Sequence, residues 1–192
     1  MKKINSKGFT LIELLAVITI MGILMMVAIP SISRTIENSR RDTFADVGKS
    51  YINAVRNAVL ADELQCGTWS VAATPDGTYY FTIDSSNDSS GSNDLMESGG
   101  KSSWGNADVK GYVVWRKSTE SASTSTGTDK TKTIYSIDLY DTGKHGTRGG
   151  EVLEENLGRS QIDTKLSYAA GDASSSHLAP TAGSNITECT IK

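Results

Sequence analysis

Lys7-Gly8-Phe9-Thr10-Leu11-Ile12-Glu13 runs directly into Leu14-Leu15-Ala16-Val17-Ile18-Thr19-Ile20-Met21-Gly22-Ile23-Leu24-Met25-Met26-Val27-Ala28-Ile29-Pro30, and this stretch decides the fold. No charge occurs in the twenty residues from Leu14 to Ser33. Of the sixteen from Leu14 to Ile29, all but Thr19 and Gly22 are hydrophobic. A helix of about 20 apolar residues matches a hydrocarbon core of about 30 Å. Lys2, Lys3 and Lys7 precede the run, and a basic flank stays on the cytoplasmic side of a membrane. The sequence therefore predicts a membrane-spanning helix over residues 9–33, with the remainder of the chain on the far side. A cleaved secretory signal shares the basic-then-apolar order but ends in a small-residue cleavage site. Met26-Val27-Ala28-Ile29-Pro30 is a poor version of such a site, so an uncleaved signal-anchor is the better plain alternative.

Glu13 lies in the first turns of this run. A carboxylate within the bilayer costs about 2.5–3.5 kcal/mol on insertion scales, so it points to a function and to a cationic partner. Cleavage after Gly8 would supply one, because the new amine of Phe9 lies about one helical turn from Glu13.

Gly8-Phe9-Thr10-Leu11-Ile12-Glu13, with a short basic leader before it and an apolar helix after it, resembles a type IV prepilin with a class III, type IVa-like signal peptide. Gly22 and Pro30 fall where many pilins carry helix-breaking residues. The resemblance extends over roughly the first 35 residues; beyond them it is one of architecture.

The resemblance implies a prepilin peptidase/methyltransferase that cuts after Gly8 and methylates the amine of Phe9. A glycine at the cut suits close approach of a protease to the backbone. It implies assembly through Phe9, Glu13, Gly22 and Pro30, with Glu13 neutralising the amine of a neighbouring subunit. Opposite charges near 4 Å attract by about 4 kcal/mol at an effective dielectric of 20, and desolvation offsets much of that. Such a pair sets register more than it supplies cohesion. The segment from Gly22 to Pro30 is expected to unwind in a filament, as it does in filaments of this family. The implied partners are further copies in a helical homo-oligomer, other pilins, the pilus assembly machinery and the inner or cytoplasmic membrane. The implied locations are that membrane for the single-pass precursor and an extracellular pilus for the assembled form. The implied role is structural, not enzymatic, in motility, adhesion or biofilm. A pseudopilin of a type II secretion or DNA-uptake machine shares the motif, and an uncleaved membrane-anchored binding domain is the third reading.

Past Pro30, the residues Ile32, Ile36, Phe44, Val47, Tyr51, Val55 and Ala58 recur near the 3.6-residue period. They predict an amphipathic continuation of the helix over 34–66, ending near Leu64 with Gly67 close to its stop. From residue 67 the composition changes. Thr78–Ile83, Gly111–Arg116 and Thr133–Tyr140 are rich in β-branched and aromatic residues and predict strands. In the last of these Tyr135, Ile137 and Leu139 share one face while Ser136 and Asp138 occupy the other, which predicts burial on one side only. Glu151–Leu157 reads as a short helix and Glu188–Ile191 as a terminal strand. The expected class is α+β: a long N-terminal helix, first transmembrane and then amphipathic, packed on a C-terminal antiparallel sheet, the pilin architecture. The expected segments are a leader over 1–8, the spanning helix, its continuation, and a β-rich head over 67–192. Residues 84–106 and 118–133 are dominated by small polar residues and read as surface loops or hairpin extensions.

Chemistry-bearing patterns are sparse. Cys66 and Cys189 are the two cysteines, and in an oxidising exterior they are expected to pair. The two histidines, His145 and His177, lack zinc-ligand spacing. Asp141–Gly150 is glycine-rich without the P-loop spacing. Asp84-Ser85-Ser86-Asn87-Asp88 offers oxygens without EF-hand spacing. No cofactor motif is present, and weak acidity argues against a dedicated nucleic-acid ligand. The formal charge of −3 belongs to the precursor. Loss of Met1–Gly8 removes three lysines, leaving sixteen cationic against twenty-two acidic side chains and a balance of −6.

Overall fold

Helix α1 runs from Leu11 to Leu60. The structure is a computed structural model, and it describes residues 9–70, 75–84, 101–105, 108–120, 130–166, 180 and 186–192. Two units are distinguished, residues up to Ser39 and residues from Arg40 onward.

In the first unit, α1 is unbroken through Gly22 and Pro30. Proline supplies no N–H to the carbonyl four residues earlier. Hydroxyls in this unit donate to the helix's own carbonyls, Thr19 to Ala16 at 2.9 Å, Ser33 to Ile29 at 3.0 Å and Thr35 to Ser31 at 3.1 Å. Back-bonding of this kind hides a polar side chain where no water is at hand.

In the second unit, α1 buries Phe44, Ala45, Gly48, Tyr51, Ile52, Val55 and Ala58. Phe44, Tyr51, Val55 and Ala58 belong to the expected stripe, and Val47 packs partly buried against it. Ile32 and Ile36 do not, being about half exposed at 55% and 48%. The stripe instead recruits Ala45, Gly48 and Ile52, the small Ala45 and Gly48 letting the helix approach the sheet. A Cβ on Gly48 would stand 3.0 Å from Leu157 Cδ2 and 3.3 Å from Leu139 Cδ1.

The helix ends at Leu60, before the expected Leu64. Asp62 takes a positive φ of 57°. Its N–H donates to the Val59 carbonyl at 3.4 Å, and the N–H of Glu63 donates to the Ala58 carbonyl at 2.9 Å. This is a Schellman stop with aspartate in the position glycine usually takes. Gly67 serves a different turn. It is left-handed (φ 59°) between strands β1 (Leu64–Cys66) and β2 (Trp69–Ser70), which pair Cys66 with Trp69 across a two-residue loop.

The remaining strands are β3 (Gly77–Asp84), β4 (Val109–Glu120), β5 (Lys130–Asp141), β6 (Gly146–Thr147), β7 (Val152–Leu153), β8 (Ile162–Asp163) and β9 (Ile186–Ile191). They form one sheet in the order β2-β1-β9-β3-β4-β5-β6-β8, with β7 paired to β5. Pairing is antiparallel except between β3 and β9, which run parallel. The expected helix at Glu151–Leu157 is a strand, β7, followed by one 3-10 turn at Glu154–Asn156.

Tyr79, Phe81 and Ile83 of β3, Val109, Val113 and Trp115 of β4, and Ile137 and Leu139 of β5 form the core with α1. Tyr79 and Trp115, cross-strand partners, stack with centroids 5.6 Å apart. β5 departs from the one-sided burial expected of it, since Ser136 and Asp138 are buried as completely as Ile137. Their polarity is satisfied locally. The Ser136 hydroxyl donates to Glu151 Oε1 at 2.5 Å, and the Thr147 hydroxyl donates to Asp138 Oδ1 at 2.6 Å. A buried polar group that keeps its hydrogen bond escapes most of the desolvation cost that alternation rules assume.

Candidate assembly site

Thr10 opens the long helix. Its backbone N–H and its hydroxyl both donate to Glu13 Oε2, each at 2.8 Å. The backbone N–H of Glu13 donates to the Thr10 hydroxyl oxygen at 3.3 Å. This reciprocal arrangement is a capping box. It satisfies two of the amide groups that a helix start leaves without partners, which matters most where no water reaches. Both carboxylate bonds fall on Oε2, so the geometry leaves Oε1 as the oxygen for a further donor. Thr10 was legible in the sequence: Thr-x-x-Glu before an apolar run is the capping signature. Reading Glu13 only as a charge overlooks it.

Beyond this cap, every large apolar side chain from Phe9 to Ile36 is exposed, Phe9 at 86%. The most apolar 18-residue window has a mean hydropathy of 2.6 with none of it buried. By length and composition this helix is able to cross a membrane. A methyl group at Gly22 would meet nothing within 4 Å. Gly8 lies outside the described residues.

Cys66 and Cys189 sit opposite each other on β1 and β9, with Cα atoms 4.1 Å apart, and are joined by a disulfide. Both are buried. The bond ties the segment that follows α1 to the last strand, a sequence separation of 123.

One polar knot lies elsewhere. The Ser102 hydroxyl donates to Asp141, whose Oδ1 also accepts from the backbone N–H groups of Gly143 at 2.7 Å and His145 at 2.9 Å. His145 Nδ1 lies 2.8 Å from Asp141 Oδ2, and its ring stacks on Trp104 at 4.2 Å. These are the residue types of a hydrolytic triad in the wrong order. The serine bonds the carboxylate, whereas nucleophile activation needs it on the imidazole. The knot pins the turn at 142–145 and the segment at 102–104. Among the described residues no three His, Cys, Asp or Glu side chains gather as metal ligands. His177 and the Ser85–Asp88 oxygens lie outside the described residues.

A capped, exposed apolar helix preceded by lysines and Gly8 is the pattern that comparison with known families resolves. The chain carries the prokaryotic N-terminal methylation motif. The match spans residues 3–29, and the motif is the class III signal peptide of type IV pilins. Comparison with curated proteins and with solved structures returned no match. The methylation motif and the apolar helix together mark a membrane-anchored precursor of pilin-like or pseudopilin type.

Proposed function

We propose that this chain is a structural subunit of a type IV pilus, cut after Gly8, N-methylated on Phe9 and polymerised through its N-terminal helix into an extracellular filament. One observation carries this reading: the helix that begins within the methylation motif leaves all of its large apolar side chains from Phe9 to Ile36 exposed. Each such side chain gains about 1.5–3 kcal/mol on burial, so the surface has to be covered by lipid in the precursor and by other helices in a polymer. Glu13 then has two roles. Its Oε2 caps the helix through Thr10, and its charge pairs with the methylated amine of a neighbouring subunit. Motility, adhesion and biofilm are the activities such a filament serves.

Filaments sheared from the cell surface test the assignment. This chain is expected as a component of them, at the mass of a processed subunit. Its retention in the envelope fraction, with none in sheared filaments, would favour the pseudopilin.

A further inference from the structure

Without its leader the chain carries a side-chain balance of −6, yet cations gather where the second unit begins, around Arg40–Phe44 of α1. The Arg41 guanidinium donates to the Thr164 hydroxyl at 3.4 Å, and Arg159 Nε donates to Asp42 at 2.9 Å. Arg148 Nε lies 3.7 Å from Asp163. The backbone N–H of Leu166 donates to the Lys144 carbonyl at 2.8 Å, which sets the turn at Lys144 against Lys165–Leu166. Trp104 joins that turn to the helix, since its ring stacks on His145 at 4.2 Å and lies 5.7 Å from the ring of Phe44.

Arg40, Arg41, Lys144, Arg148, Arg159 and Lys165 are therefore gathered around one short piece of α1. The carboxylates among them are Asp42, Asp163 and Asp141. Asp42 and Asp163 each face an arginine, and Asp141 is buried with both oxygens bonded. Arg40, Lys144 and Lys165 are exposed, and their side chains form no ion pair with a described residue. Three cations are left in excess on a chain that is acidic overall.

We propose that this cluster docks the β-rich unit on anionic lipid headgroups while the precursor is anchored in the membrane. The contact rests on the membrane-spanning reading of α1 and not on polymerisation. Chain length selects lipid as the occupant. The uncharged run ends at Ser33, seven residues before Arg40. Seven Cα steps reach at most about 25 Å, so the start of the cluster stays within that distance of the membrane face whatever the arrangement of the two units. In the connection Arg34 and Glu37 cancel. A free partner has to find the cluster by diffusion, whereas the covalent chain holds the membrane at high effective concentration.

An anionic surface attracts each Lys or Arg that comes within a Debye length of about 8 Å. Exposed ammonium and guanidinium groups on flexible stems reach lipid phosphates without an ordered pocket. Entry into a filament takes the subunit out of lipid, so this is a contact that the precursor makes and the polymer gives up.

The test uses the full-length chain at one copy per nanodisc, with a fluorophore on Ser160→Cys, an exposed position beside Arg159. Cys66 and Cys189 are joined to each other, so the label is selective. The discs hold phosphatidylcholine alone or mixed with phosphatidylglycerol, with a quencher on a fraction of the headgroups. Quenching is expected to be about threefold or more stronger in the anionic discs, and to return to the neutral level at high salt. Lys144→Glu combined with Lys165→Glu is expected to abolish the anionic excess. Lys130→Glu, at the end of β5 remote from Asp141, is expected to leave it. The milder pair Lys144→Gln and Lys165→Gln is expected to remove part of the excess, and serves where the reversal does not fold. Equal quenching in both lipids, or an equal loss from Lys130→Glu, overturns the contact. An anionic excess that appears only with two or more copies per disc assigns the cluster to a neighbouring chain and also overturns it. Failure of the chain to enter discs overturns the spanning reading, and this contact with it.

Discussion

Thr10 and Glu13 hold each other at the start of the long helix, the carboxylate accepting the threonine's N–H and hydroxyl at 2.8 Å each. The contact separates two properties of Glu13 that its position alone does not. Glutamine at this place in a capping box still accepts both bonds, but it carries no charge. Glu13→Gln is therefore expected to keep the first helical turn, read from amide chemical shifts in micelles, while losing filaments. Thr10→Ala is expected to weaken the first turn by about 1 kcal/mol and to reduce assembly only in part. Wild-type filament yield from Glu13→Gln would contradict a role for the charge.

Pro30 costs about 3 kcal/mol within a helix relative to alanine, and Gly22 about 1 kcal/mol. The single chain carries both within an unbroken helix. Both residues are proposed to act in the polymer, where the segment from Gly22 to Pro30 extends. Pro30→Ala is expected to raise helix stability in the single chain and to impair packing of the filament. A filament map with continuous helix through Ile29 would contradict the extension.

The disulfide closes a loop across most of the β-rich unit. Replacing Cys66 and Cys189 together by alanine is expected to lower its stability by about 2–5 kcal/mol. Denaturant unfolding with and without reductant measures this. Alkylation of two thiols in the unreduced protein would show that the bond is not formed.

Asp42 accepts from Arg159 Nε at 2.9 Å. That bond, more than the accompanying charge attraction, holds the Asp42 carboxyl below its ordinary value. A depressed carboxylate contributes stability fully above its unfolded pKa of about 3.9, and the contribution is lost as pH falls through the lower folded value. Asp42→Asn is therefore expected to differ from wild type at pH 5 to 7, with the difference shrinking from about pH 4 downward and vanishing only below the lowered folded value. The pair is exposed, so added salt should narrow the difference. Urea midpoints across this range check both statements.

Much of this was legible because the deciding signals are local. The apolar run, the stripe through Phe44, Tyr51 and Val55, and the strands at Thr78, Gly111 and Thr133 each declare themselves through period or composition. What was missed depends on distant partners. Nothing near Ile186 announces that β9 inserts between β1 and β3, parallel to one and antiparallel to the other. Ser136 and Asp138 look like solvent-facing positions until Glu151 and Thr147 are brought beside them. Asp62 stops the helix in a conformation that Gly67 would adopt more readily. Asp141 joins His145 of its own turn to Ser102, thirty-nine residues earlier, a pairing with no spacing to read.

The central claim is that the working molecule is the processed subunit, beginning at Phe9. Intact-mass and N-terminal fragment spectra of the protein from sheared filaments test it most directly. The expected species is a chain lacking Met1–Gly8 with one methyl group on the amine of Phe9. A chain that retains Met1, or begins at Phe9 without the methyl group, would contradict it.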